Sequence, residues 1–95
     1  MIKYQIKVTF KNSDKNRVGK KTLSQYRLSK LANKAKFQLQ GEDYNKGRIT
    51  GCKQPNKNTF VLTYNTDKNG LKNIESLKKS LSNMYSFKSL VPSKA

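Results

Sequence analysis

An α+β fold in the order β-α-β-β-α, with room for a final short strand, follows from three features of this 95-residue sequence. Residues 2–10 alternate apolar and polar side chains, two later segments carry apolar residues at helical spacing, and two β-rich runs between those segments flank turn-forming residues. Such a pattern buries itself economically as an antiparallel sheet with two helices on one face. The chain is long enough to fold as one domain, 1–95, without disulfide or metal staples. Only 34% of residues are hydrophobic, so a thin core is expected, with one sheet face covered and the other open.

In the first strand Ile2, Tyr4, Ile6, Val8 and Phe10 point one way, and Lys3, Gln5, Lys7 and Thr9 the other. Residues 11–21, KNSDKNRVGKK, read as a polar loop with five basic residues, either a plain connection or a finger that orders on a ligand. Thr22 and Gln25 have capping-box spacing, which predicts a helix from there to about Lys36. Leu28, Leu31, Ala32 and Ala35 form its core arc, and Arg27, Lys30 and Lys34 a separate basic stripe. Phe37 and Leu39 either close that helix or begin a strand, and Gly41 and Gly47 bracket a turn-rich segment.

A hairpin follows, with Pro55-Asn56-Lys57-Asn58 as its turn. Phe60, Leu62 and Tyr64 form its apolar side, and Val61 and Thr63 face away. A second helix is expected over about 70–86, capped by Asn69 or Thr66. Its core face is Leu71, Ile74, Leu77, Leu81, Met84 and Tyr85, with Lys72, Glu75 and Lys79 opposite. Residues 87–95 form an edge strand or a frayed tail. The whole corresponds to a ferredoxin-like split βαβ arrangement or a close variant. A parallel pairing of its first and third strands would require a right-handed crossover.

The segment TLSQYRLSKLANKA, residues 22–35, resembles the opening of helix-turn-helix repressors. Those repressors continue into a recognition helix, whereas here QGEDYNKG and a hairpin follow, so no family is assigned.

Charge dominates the chemistry. Lys and Arg number 21 against five acids (Asp14, Glu42, Asp43, Asp67 and Glu75), for a net charge of +16. Solubility of a small domain needs a net charge of only about 2–8, so the excess points to a polyanionic partner. Eighteen of the cations are Lys, which suits tracking of phosphates better than bidentate reading of base edges. Lys and Asn, the latter with ten copies, share AT-rich codons, which could supply part of the lysine but leaves the scarcity of acids unexplained.

Catalysis finds little support. There is no His, Glu42 and Asp43 sit side by side in a turn-rich segment, and Cys52 is the only cysteine and reads as a small strand residue. No metal site, cofactor or catalytic residue is expected. The glycines match neither a P-loop nor a dinucleotide fingerprint. Lys3 and Lys7 interrupt any signal-like stretch, and no run reaches the roughly 18 apolar residues of a membrane span. An intracellular, reducing location without membrane association is therefore expected.

The candidate contacts are Lys3 and Lys7 on the first strand; Arg17, Lys20 and Lys21 in the basic loop; Arg27, Lys30 and Lys34 on the first helix; and Lys46, Arg48, Lys53 and Lys57 around the hairpin. Tyr44 is the one candidate for base stacking, because the strand aromatics fall on core faces. The expected partner is nucleic acid, with RNA or single-stranded DNA ahead of duplex DNA since no groove-reading helix is evident. The alternative is a small phage or mobile-element protein that inhibits or redirects a host factor by docking on an acidic surface. An uncovered sheet edge could also pair with a second copy.

Overall fold

In the computed structural model the described residues are 2–11, 17–18, 21–22, 28–56, 58–84 and 87–94, with the backbone alone for 17–18, 21–22 and Tyr44. The main sheet comprises β1 (Ile2–Phe10), β4 (Arg48–Asn56), β5 (Thr59–Thr66) and β6 (Phe87–Lys94) in the spatial order β4-β5-β1-β6. Two residue pairs, β2 (Arg17–Val18) and β3 (Lys21–Thr22), form a separate small hairpin. Helices α1 (Leu28–Gln40) and α2 (Gly70–Ser82) pack on one face of the main sheet. All three pairings in that sheet are antiparallel, and the arrangement is ferredoxin-like. The first and third strands of the main sheet therefore pair antiparallel, and the crossover through α1 instead joins β1 to β4, which runs parallel to it with β5 between them.

Alternation along β1 and β5 decides which side the helices cover. Tyr4, Ile6, Val8 and Phe10 are buried, as are Phe60, Leu62 and Tyr64 opposite them. From above they meet Leu28, Leu31, Ala32, Ala35 and Leu39 of α1, and Ile74, Leu77 and Leu81 of α2. Each large aliphatic or aromatic side chain in this layer contributes about 1.5–3 kcal/mol by leaving water. At one end of the core Phe10 meets Phe60 at 6.2 Å and Phe87 edge-on at 6.3 Å.

Several boundaries differ from expectation. Thr22 lies in β3 paired with Arg17, so it is not a helix cap there, while Gln25 falls outside the described residues. Helix α1 runs past Lys36 to Gln40, because Leu39 continues the arc of Leu28, Leu31, Ala32 and Ala35 into the core. Gly41, at φ 66°, then ends it, donating its N–H to the Phe37 carbonyl at 2.9 Å. A 3-10 turn over Glu42–Tyr44 and β4 follow, in place of any recognition helix. Pro55 and Asn56 belong to β4 rather than to a turn, β5 begins at Thr59, and Lys57 lies outside the described residues.

Helix α2 stops at Ser82 rather than 86, with Asn69 at its N-cap position making no side-chain capping bond. Instead the Asp67 carboxylate accepts the Asn69 N–H at 2.8 Å. Leu71 is exposed, because it turns away from the arc of Ile74, Leu77 and Leu81. Tyr85 lies outside the described residues. The tail is a full eight-residue strand, β6, held along β1 with Leu90 buried.

One polar knot ties both layers together. The Lys46 carbonyl accepts from the Tyr64 hydroxyl at 2.7 Å, the Thr66 hydroxyl at 3.2 Å and Asn73 Nδ2 at 3.3 Å. The Tyr64 oxygen also lies 3.1 Å from the Leu39 carbonyl and accepts from Asn73 Nδ2 at 3.0 Å. It thus joins the end of α1, the loop before β4, β5 and the start of α2. Gly47, at φ 142°, lets the backbone pass; a Cβ there would sit 2.7 Å from both the Asn65 carbonyl and the Tyr64 ring.

Two outcomes test this description. Tyr64→Phe removes the hydroxyl while leaving its carbonyl partners in place, and denaturant titration should show a loss of about 1–3 kcal/mol. Thr63→Lys, on the open side of β5, should move stability by no more than about 0.5 kcal/mol, whereas Leu62→Lys, one residue away, should unfold the protein by burying an unpaired charge. Circular dichroism melts of the two variants provide the comparison.

Candidate nucleic-acid interface

The register of the main sheet arranges its uncovered face into rows running across the strands. Arg48, Asn65 and Lys3 form one row, since Asn65 pairs with both of the others. Gly51, Thr63, Gln5 and Ser93 form the next, and Lys53, Val61, Lys7 and Val91 the third. A fourth row contains Thr59, Thr9 and Ser89, with Asn56 opposite Thr59. Two cationic rows therefore alternate with neutral rows of small hydroxyl and amide side chains. Strand spacing places Lys7 and Lys53 about 10 Å apart at Cα, and Lys3 and Lys7 about 13 Å apart along β1. Lys3, Lys7, Arg48 and Lys53 are all exposed.

No acid interrupts this face among the described residues. Glu42 and Asp43 lie in the 3-10 turn, Asp67 in the turn before α2, and Glu75 on α2. Asp14 falls outside the described residues. The helical side is different. It carries exposed Lys30 and Lys34 on α1 and Lys72, Lys78 and Lys79 on α2, but its helices and connecting turns also hold every described acid. Among the described residues, cations thus occur on both surfaces, and the sheet face carries no acid.

The candidates from the sequence consequently divide. Lys3, Lys7, Arg48 and Lys53 share the open face. Lys30 and Lys34 lie on the opposite layer and cannot act with them on one flat ligand. Lys46 is exposed in the loop before β4, where its carbonyl carries the polar knot. Arg17 and Lys21 are in the small hairpin, where only the backbone is described, and Lys20, Arg27 and Lys57 lie outside the described residues. Tyr44 closes the 3-10 turn, its side chain likewise outside the described set. Described strand aromatics all lie on the covered side.

Two further cations lie at the Phe10 end of the sheet, Lys11 just past β1 and Lys88 in β6. Lys11 continues the four-residue spacing of Lys3 and Lys7, a signal present in the sequence but hidden in what read as a loop. Lys88 gave no such signal, because its position depends on an irregularity in β6.

Among the described residues no three His, Cys, Asp or Glu side chains gather closely enough to hold a metal ion. No described helix is long and apolar enough to cross a membrane. No protein-family model, curated protein or solved structure matches the chain.

Proposed function

We propose that this is a non-enzymatic nucleic-acid-binding protein that holds the phosphate backbone against the open face of its main sheet. The supporting observation is the convergence of Lys3, Lys7, Arg48 and Lys53 on one uncovered surface that has no acid among the described residues. Flexible ammonium groups in widely spaced rows suit a phosphate chain better than an array of base edges. With no described aromatic on the face, bases have no stacking platform, so affinity should depend little on sequence. RNA or single-stranded DNA fits better than duplex DNA, because the face is a sheet and neither helix projects from the fold as a groove reader.

Fluorescence anisotropy with random-sequence RNA, single-stranded DNA and duplex DNA at two salt concentrations tests this reading. The expected outcome is sub-micromolar binding whose logarithm falls with log salt by about 0.7 per phosphate contact on single strands. Joint reversal of Lys3→Glu and Lys7→Glu should weaken binding at least about tenfold, as loss of charge-assisted contacts does. The same reversal at Lys72 and Lys79 should have a smaller effect. Equal losses from the two pairs would remove the open face from the account. A protein partner that survives nuclease treatment, with no nucleic-acid binding, would assign the positive face to an acidic protein surface instead.

A further inference from the structure

Between the two cationic rows of the open face runs a row of different chemistry, Gly51, Thr63, Gln5 and Ser93, one residue from each strand of the main sheet. Gln5 stands two residues from both Lys3 and Lys7 on β1, which places the row about 7 Å from each of them. No member of the row is charged, and none is a large apolar side chain. Gln5 and Ser93 are exposed, and Thr63 is half-buried.

Gly51 gives this row its relief. A glycine inside a strand weakens it, and commonly marks a place where a ligand or another backbone comes close. Neither conformation nor packing requires one here. Gly51 is not among the glycines with positive φ, and a Cβ built on it would make only ordinary contact with Thr63, 3.4 Å from Oγ1 and 3.6 Å from Cβ. What the missing side chain does is leave the Thr63 hydroxyl uncovered on the side of β4. That hydroxyl and the Gln5 amide make no hydrogen bond among the described residues, while the Ser93 hydroxyl donates to the Gln5 carbonyl at 3.5 Å and keeps its acceptor.

A hydroxyl and a carboxamide can each donate and accept. A phosphate only accepts, and it finds ammonium groups in the rows on either side. The ribose 2′-hydroxyl both donates and accepts, and it is the group by which a protein tells RNA from DNA. Contacts to sugar come typically from Ser, Thr, Asn and Gln side chains. A backbone held along either cationic row brings its sugars over the neutral row beside it. We propose that this neutral row reads the 2′-hydroxyl, so that the ligand is RNA rather than single-stranded DNA, with Thr63 and Gln5 as the reading groups. The inference rests on the reading above that the cationic rows hold phosphates.

The test measures fluorescence anisotropy of the full chain with three eight-nucleotide strands that differ only at the 2′ position: oligouridylate, oligodeoxyuridylate and 2′-fluoro-oligouridylate. The last keeps a ribose-like pucker without a hydroxyl. Thr63→Val, Gln5→Met, the double variant and Lys7→Glu are compared with the parent, each first shown to be folded by circular dichroism. The parent should bind oligouridylate at least about threefold tighter than either analogue, the worth of one or two hydrogen bonds. The double variant should bring the three affinities together by weakening oligouridylate alone, with the salt slope unchanged because no charge is removed. Lys7→Glu should weaken all three strands alike and lower the slope, with the preference kept. If the parent binds the three strands equally, or if the preference survives in the double variant, the 2′-hydroxyl reading is overturned and the open-face reading stands. If the 2′-fluoro strand binds like oligouridylate, sugar pucker sets the preference and the role of Thr63 and Gln5 is overturned. If no strand binds, the nucleic-acid reading falls and this inference falls with it.

Discussion

The period-two pattern of β1 is the constraint on which both the fold and its surface depend. β1 pairs along one edge with β5 and along the other with β6, so its register propagates across the sheet. A slip of one residue would turn Lys3 and Lys7 under the helices and Tyr4, Ile6 and Val8 into water. Burying even one unpaired ammonium costs several kcal/mol, a large part of the 5–15 kcal/mol typical of a whole domain. The lysines therefore help select the native register, and the same register delivers them to the uncovered face. Arg48 and Lys53 arrive there because β4 is keyed to β5, which is keyed to β1.

The resulting concentration of charge is tolerable. Two unit charges about 10 Å apart in water repel by about 0.4 kcal/mol, and a Debye length of about 8 Å at physiological salt reduces that further. Four such cations cost the empty face no more than about 1–2 kcal/mol in total, which the buried layer beneath offsets. A bound polyanion would remove this repulsion and release its own counterions, so both effects favour binding. The described acids lie off the strands: Glu42 and Asp43 in the 3-10 turn, Asp67 in the turn before α2 and Glu75 on α2.

Legibility in the sequence tracked the range of the interaction involved. The faces of β1 and β5 and the buried arc of α2 from Ile74 to Leu81 follow from local periodicity, and the structure has them as expected. Local signals misled where a longer-range contact prevailed. Thr22 has the spacing of a cap but pairs with Arg17 in a hairpin. Leu39 stays helical because the core accepts it, although the alternation in FQLQ reads equally as the start of a strand. Leu71 has helical spacing from Ile74 but points away from the layer it would need to reach. The bulges at Lys88 and before Asn56 have no local signature, since a ladder's extra residue is defined only by the strand beside it. The flat cationic rows could thus be read by counting residues in twos, and the bulges could not.

The same periodicity bears on how such rows could act. Lysines on a regular strand project into solvent on flexible stems, and each can follow a phosphate through several ångströms of displacement. Such contacts add affinity and salt dependence but leave the ligand free to slide. Beneath the face, Phe10 packs against Phe60 and edge-on against Phe87, so the backbone at that end of the sheet is set before any ligand arrives. Preorganised contacts lose less entropy on binding and tolerate less displacement. Steering by these rows would thus be a property of unbroken β-periodicity, which sets where the lysines stand and not where a ligand stops.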